Sequence, residues 1–369
     1  MITYLDRNEF NYRAAAVLEK TLKEFDPNLL CSYTRIHEEG KKSIFSDFIA
    51  KQYQVDERQV ILGYGGESIL KDAIHYFLTE SSNKKILLPK YSWWYYKSIA
   101  KEVDGVSTQY PLIEKGNSFE YDFDEFEKIV KEEQPKVILI ASPNNPTGNA
   151  LSVNDLKRLL ERIDRETVVI IDEAYSSFAN EDDSYIKELI SEYSNILIVR
   201  TLSKFYGAPG LRLGFAFAGQ MICKKFLPFT TKYLGYNRLS EELGIAILKA
   251  TDYYRGIANE MQLEREKYYS QIRPLEGFKV YDSYANFILV KYPIELKNKL
   301  NNEFLEKDYV VKFMNEEDIN THMRITLGMP KHNQDIRDII IRVANQRSKS
   351  NESHNTSCGN SVEATPINR

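Results

Sequence analysis

Three short apolar runs, Val137–Ala141 (VILIA), Val168–Ile171 (VVII) and Ile196–Val199 (ILIV), limit what this chain can become. Each run is unbroken rather than alternating, so a strand made from it must be covered on both faces. That is the condition of a parallel sheet packed between helices. A helical-period segment, Val153–Ile163, separates the first two runs. Strand-like Gln59–Gly63 and Lys85–Leu88 are each followed by helical patterns, Ser68–Leu78 and Ser92–Val103. This alternation predicts βαβ units and an α/β fold with a mostly parallel sheet flanked by helices.

A long charged helical pattern, about Tyr253–Arg273, leads out of this region into a smaller α+β unit. Its strand candidates are Phe278–Tyr281, Asn286–Lys291, Tyr309–Phe313 and Met323–Leu327, with helices near Ile294–Lys307 and Asp335–Asn345. A length of 369 residues accommodates two domains. The expected division is a large domain over 36–250 and a small one from 1–35 and 251–346. The Ser/Asn/Thr-rich remainder, 347–369, has no apolar periodicity and is expected to be disordered. The 25 tyrosines are expected mostly in core and interface packing.

Composition narrows the function. A formal charge of -4 lacks the basic excess a nucleic-acid binder needs. The apolar runs are far short of the roughly 20 residues that span a bilayer, and MITYLDRNEF lacks the basic-then-apolar order of a secretory signal. Cys31, Cys223 and Cys358 are widely spaced, which fits a cytoplasmic protein with no disulfide framework and no metal site.

In an open parallel sheet, ligands bind beyond the carboxyl ends of the strands. VILIA runs into Ser142-Pro143-Asn144-Asn145-Pro146-Thr147-Gly148, VVII into Asp172-Glu173-Ala174-Tyr175, and ILIV into Arg200-Thr201-Leu202-Ser203-Lys204. An amide, a carboxylate, a phenol and an amine would meet at one sheet edge. Pyridoxal phosphate asks for that set: a lysine for its aldehyde, an anion at its ring nitrogen, donors to its ring oxygen and a cradle for its phosphate. Lys204, Asp172, Asn145 and Tyr175 would fill the first three needs. Gly63-Tyr64-Gly65-Gly66-Glu67 at a helix start, the Thr201 and Ser203 hydroxyls and the Arg212 fork would form the cradle. Taken singly, each segment has an ordinary reading. Gly-Tyr-Gly-Gly can be a helix-start turn or a weak dinucleotide fingerprint, Asp172 a cap, Lys204 a solvated lysine and Pro-Asn-Asn-Pro a turn. Four together are a different matter.

The segments SPNNPTGN (142–149), IIDEAY (170–175), RTLSKFYGAPGLRLGF (200–215) and MRITLG (323–328) resemble the fold-type-I pyridoxal-phosphate aminotransferases, and the histidinol-phosphate aminotransferase branch in particular. Leu5-Asp6-Arg7-Asn8-Glu9 and Ala285-Asn286-Phe287 add to the likeness, which spans about residues 5–345. The resemblance implies that Lys204 bonds the cofactor aldehyde and that Asp172, Tyr175 and Asn145 contact the ring. It implies that Tyr91 stacks on the ring face, and that Gly66, Glu67 (by its backbone), Thr201, Ser203 and Arg212 hold the phosphate. Tyr33 would reach the phosphate of a neighbouring subunit, so a homodimer is implied. Arg324 would bind the substrate's anionic group. Lys312 stands where the branch commonly has an arginine for a substrate phosphate, and it keeps the charge without the planar fork. The implied reaction moves an amino group from a small-molecule amino donor to a 2-oxo acid. Alternatives are a decarboxylase or lyase on the same scaffold, a silent cofactor-binding regulator, and a nucleotide-dependent dehydrogenase resting on the glycine segment alone.

Overall fold

The computed structural model describes residues 1–9, 15–179, 182–230 and 237–357. Its strands, in chain order, are β1 (Thr3–Leu5), β2 (Val60–Gly63), β3 (Lys85–Pro89), β4 (Val106–Tyr110), β5 (Leu112–Lys115), β6 (Ser118–Tyr121) and β7 (Val137–Ala141). They continue with β8 (Val168–Asp172), β9 (Ile196–Thr201), β10 (Gly214–Ala218), β11 (Lys279–Val280), β12 (Phe287–Lys291), β13 (Tyr309–Phe313) and β14 (His322–Thr326). Seven of them form one sheet in the order β2-β10-β9-β8-β7-β3-β4. It is parallel except for β10, which runs against both of its neighbours.

The unbroken apolar runs are explained by where their side chains go. Along β7, Ile138 and Ile140 join one core while Val137 and Leu139 join another on the opposite face. Val169 and Ile171 of β8 part from Val168 and Ile170 in the same way. Alternate residues of a strand point to opposite faces, and both faces are roofed by helices. The helix Gly66–Thr79 sends Ile69, Leu70, Ala73, Ile74 and Phe77 into one core, and the helix Val153–Leu160 sends Leu156, Leu159 and Leu160 into the other. Ala141 pairs with Asp172, and Asp172 with Val199, so the three strands end nearly level.

A second sheet has the order β1-β13-β14-β12-β11, with β1 parallel to β13 and the other pairs antiparallel. Ile288, Val290, Met323 and Ile325 pack there against Met261 and Tyr268 of the helix Thr251–Gln271 and Ile336 and Ile340 of the helix beginning at Pro330. The N-terminal segment divides its contacts: β1 joins this sheet, while the helix Ala15–Glu24 lies against the helix Arg238–Lys249. The last helix, Pro330–Ser357, carries helical backbone past Arg347 into the stretch expected to be disordered. Residues 358–369 lie outside the described residues. β10 and the β5–β6 hairpin had no counterpart in the sequence reading. No helix among the described residues is long and apolar enough to cross a membrane.

The β5–β6 hairpin is tied to the second sheet through a buried imidazole. Glu114 pairs with Lys279 and accepts from the Tyr281 hydroxyl at 3.0 Å, and His322 Nε2 lies 3.1 Å from that hydroxyl oxygen. His322 is 3% exposed, and burial lowers its pKa from the ordinary 6.5 to about 4. Between those values the unfolded chain binds a proton that the folded chain refuses. Stability is therefore expected to be intact above about pH 6.5 and to fall as pH drops toward about 4. His322→Gln should flatten that fall in denaturant titrations, and parallel curves for both proteins would refute the assignment.

Candidate active site

The level ends of β7, β8 and β9 open onto a cavity of about 650 Å³. Its lining includes Asn145, Asp172, Tyr175 and Lys204. Gly66, Glu67, Thr201, Ser203 and Arg212 form one end of it, and Lys312 and Arg324 of the second sheet reach it from the other side.

Asp172, the last residue of β8, is 8% exposed. Its Oδ1 accepts from the Ala174 N–H at 3.0 Å and its Oδ2 from the Tyr96 hydroxyl at 2.5 Å. Burial raises its pKa, while the Tyr96 and Ala174 hydrogen bonds and the Lys204 charge pull it back. Behind it the neighbouring carboxylate points away. Glu173 accepts from Arg200 Nε at 2.9 Å and from the Tyr185 hydroxyl at 2.8 Å, and Arg200 also makes a two-pronged contact with Asp183. This buried network clamps the ends of β8 and β9 together, so Asp172 and the Thr201–Lys204 turn hold a fixed relation.

Three successive residues of the N-terminal strap, Asp6-Arg7-Asn8, meet the site one group at a time. The Asp6 carbonyl accepts from Arg324 Nη2, and the Arg7 carbonyl accepts from Lys204 Nζ at 3.0 Å. Asn8 Nδ2 donates to the Tyr175 hydroxyl at 2.8 Å. Asn8 is buried in left-handed backbone (φ 56) and is bonded to Thr326 and Asn286 of the second sheet. The Tyr175 oxygen thus has a donor already, which leaves its own proton to give.

Arg324 Nη1 donates to Asn145 Oδ1, while its Nε is buried with no partner. Burial lowers its pKa. Lys312 stands directly opposite it across the β13–β14 pair. Like charges facing across a ladder repel, so this pair suits an anion shared between them.

The other end of the cavity is built for an anion by the backbone. Gly65 (φ 81) precedes the helix Gly66–Thr79 and offers no side chain to cap it, leaving the first-turn N–H groups open. Arg212 lies over this turn, donating to the Tyr64 carbonyl at 3.1 Å and the Pro209 carbonyl at 3.2 Å. Thr201 and Ser203 share a hydroxyl contact of 2.9 Å beside it.

One expected residue is elsewhere. Tyr91 does not line the cavity: after β3 ends at Pro89 its ring turns into the core, edge-on to Phe119 at 5.5 Å. Trp93 and Trp94 line the wall instead. Tyr33, expected at a neighbouring subunit's phosphate rather than at its own, is 77% exposed. Sequence reading missed Tyr96, the two tryptophans and the strap. Asn8 was visible as part of LDRNE, but backbone carbonyls leave no signature, and Tyr96 was one tyrosine in an aromatic run.

Gly214 pairs with both Gly63 and Thr201, and a Cβ on it would meet the Gly65 backbone carbon at 2.4 Å. Gly214→Ala is expected to lower the unfolding free energy by about 1–3 kcal/mol. Gly210→Ala, with nothing within 4 Å, should change it little. Equal urea midpoints for the two variants would contradict this account of the glycine turn.

Comparison with known proteins accords with this geometry. The family model for aminotransferase class I and II matches residues 2–337. A histidinol-phosphate aminotransferase of Ruminiclostridium cellulolyticum is 30% identical over 346 residues, covering 92% of each chain. The crystal structure of histidinol-phosphate aminotransferase from Sinorhizobium meliloti, in complex with pyridoxal-5'-phosphate, superposes with a TM-score of 0.81 at 16% identity, covering 94% of this chain and 91% of that one. L-threonine-O-3-phosphate decarboxylase from Porphyromonas gingivalis shares the fold with a TM-score of 0.74 at 22% identity, over 92% and 99% of the two chains. With a match across nearly the whole chain, the protein belongs to the aminotransferase class I and II family.

Proposed function

We propose that this chain transfers an amino group between an amine substrate and a 2-oxo acid, with pyridoxal 5'-phosphate as cofactor. The observation that carries the reading is the meeting of an amine, Lys204, and a buried carboxylate, Asp172, in one cavity that has an uncapped helix start at its end. The donor set fits the cofactor. Asp172 would face the ring nitrogen, Tyr175 and Asn145 the ring oxygen, and Gly66, Glu67, Thr201, Ser203 and Arg212 the phosphate. Trp93 and Trp94 supply the aromatic wall. When bound, the cofactor supplies an aldehyde for amines and a ring that draws electrons from the carbon losing its proton.

The chain's own part is to bind, orient and move that proton. Lys204 Nζ, close enough to bond the aldehyde, is the group positioned to carry it. The Arg7 carbonyl, 3.0 Å away, stabilises Lys204 when it is an ammonium and so biases where it rests between steps. Asn8, donating to Tyr175, turns the phenol proton toward the cavity. The Arg324–Lys312 pair fixes the substrate's anionic end and orients the bond to be broken. An amino-alcohol phosphate such as histidinol phosphate, the substrate named for the relatives, fits two facing cations, although Lys312 offers a point charge rather than a fork. We also read the chain as a cytoplasmic homodimer, with exposed Tyr33 available to a second copy.

The purified protein is expected to turn yellow with pyridoxal phosphate, and borohydride should fix the label on Lys204 and not on a Lys204→Ala variant. Tyr175→Phe should cost about tenfold in kcat and Asp172→Ala about a thousandfold, since one loses a hydrogen bond and the other the buried countercharge that lines the cavity. Equal losses would overturn the role given to Asp172. Assays with an amine and a 2-oxo acid, monitored for carbon dioxide, decide the reaction: gas released in step with substrate loss would replace transfer by decarboxylation.

A further inference from the structure

We propose that the Tyr96 phenol is a positioning group that holds the Asp172 carboxylate ionised, fixes its orientation and sets how strongly it can attract a proton. The consequence for the cofactor ring rests on the proposed pyridoxal-phosphate reading; the coupling of the two side chains does not.

Tyr96 is the second residue of the helix Tyr95–Lys101, and its ring is buried at 3% exposure, edge-on to Trp93 at 5.4 Å. The surrounding core is apolar, including Ile99, Ala100, Leu88 and Ala141. A phenylalanine would pack there as well, and a hydroxyl buried in such a core is costly without a partner. The partner is Asp172 Oδ2 at 2.5 Å, the hydroxyl's one hydrogen bond among the described residues.

The carboxylate has the complementary need. A buried anion must be donated to, and Asp172 receives one donor per oxygen, the Ala174 N–H on Oδ1 and Tyr96 on Oδ2. Two donors on different oxygens fix the plane of the group. The ionisable groups facing it are Lys204 from the turn after β9, Tyr175 from its own segment, and Tyr96 from the helix after β3, with Tyr121 of β6 behind Tyr96. Glu173 is taken up by Arg200 and Tyr185 and adds no competing acceptor.

Burial and the nearby carboxylate push the Tyr96 hydroxyl well above the ordinary range, so it stays protonated and donates throughout. A neutral donor of this kind stabilises the anion without cancelling its charge. Lysine or arginine at the same place would neutralise the group that the ring nitrogen needs. With the donor in place Asp172 is less basic than an unassisted buried carboxylate. Less pull on a ring-nitrogen proton leaves more positive charge on the ring, which favours electron withdrawal.

The test is a carboxyl titration of the full chain, free of cofactor, labelled with ¹³C-aspartate and assigned by the signal lost in Asp172→Asn. Tyr96→Phe is expected to raise the Asp172 midpoint by about one unit. An unchanged midpoint overturns the proposal. Should Tyr96→Phe fold poorly, 3,5-difluorotyrosine at position 96, a stronger donor of nearly the same size, should move the midpoint the opposite way, and no movement would be equally fatal. In protein loaded with ring-¹⁵N pyridoxal phosphate, Tyr96→Phe should shift the nitrogen signal toward that of the unprotonated ring. If the midpoint moves in the cofactor-free protein but wild-type chain takes up no pyridoxal phosphate, the coupling stands and the proposed function falls.

Discussion

A negative charge at the end of a strand buried on both faces is the condition around which the site is organised. Asp172 has little contact with solvent, because β7 and β9 flank it and helices roof the sheet, leaving it 8% exposed at the cavity wall. Its charge persists only if fixed donors replace water. One donor is local, the N–H two residues on, and costs the fold nothing beyond a turn. The other arrives from the helix after β3 and ties a distant segment to the same carboxylate. The Arg200 network acts at the same level. It satisfies Glu173 and keeps the neighbouring acid from competing for the cavity's cations.

The second sheet enters the site through the strap. Asp6, Arg7 and Asn8 follow β1, which is paired with β13, so one short stretch of chain links the sheet to Lys204 and Tyr175 and is itself held by Arg324 of β14. The left-handed backbone at Asn8 is an uncommon conformation for a side-chain-bearing residue, tolerated here because its side chain and both of its backbone polar groups are bonded. The strap works beside apolar contacts between the two sheets: Tyr281, Leu289, Met314 and Ile319 pack into the same core as β7 and β8, and Tyr175 packs with Phe287.

What the sequence disclosed and what it hid divide along physical lines. β7, β8 and β9 were legible because burial on both faces forces unbroken Val/Ile runs, and the polar residues after them were legible because strand ends are where such sheets carry ligands. β10 was not: GFAFA is rich in alanine and glycine, and it pairs on one side with the preceding strand β9 and on the other with β2, far away in sequence. Tyr91 and Tyr96 show the same limit within one segment. Both are tyrosines after β3, yet one ring turns into the Phe119 core and the other hydroxyl finds Asp172, a choice made by the path of the chain after Pro89 rather than by residue type. The strap's carbonyl contacts are invisible in principle, since every residue has a carbonyl.

The facing cations on β13 and β14 extend the argument from structure to binding energy. Lys312 and Arg324 share a ladder position, and among the described residues the Arg324 acceptors are neutral, the Asn145 amide and the Asp6 carbonyl. Its Nε has none, and burial already disfavours its charge. A phosphate or carboxylate bound there would give Arg324 a charged acceptor and offset the cost of its burial. Asn145 then serves two sides at once: its carbonyl oxygen steadies Arg324 while its amide nitrogen is free for the ring side of the cavity. Occupancy at the anionic end would be felt at the ring through a single side chain, which couples substrate recognition to the reacting centre without any movement of the sheets.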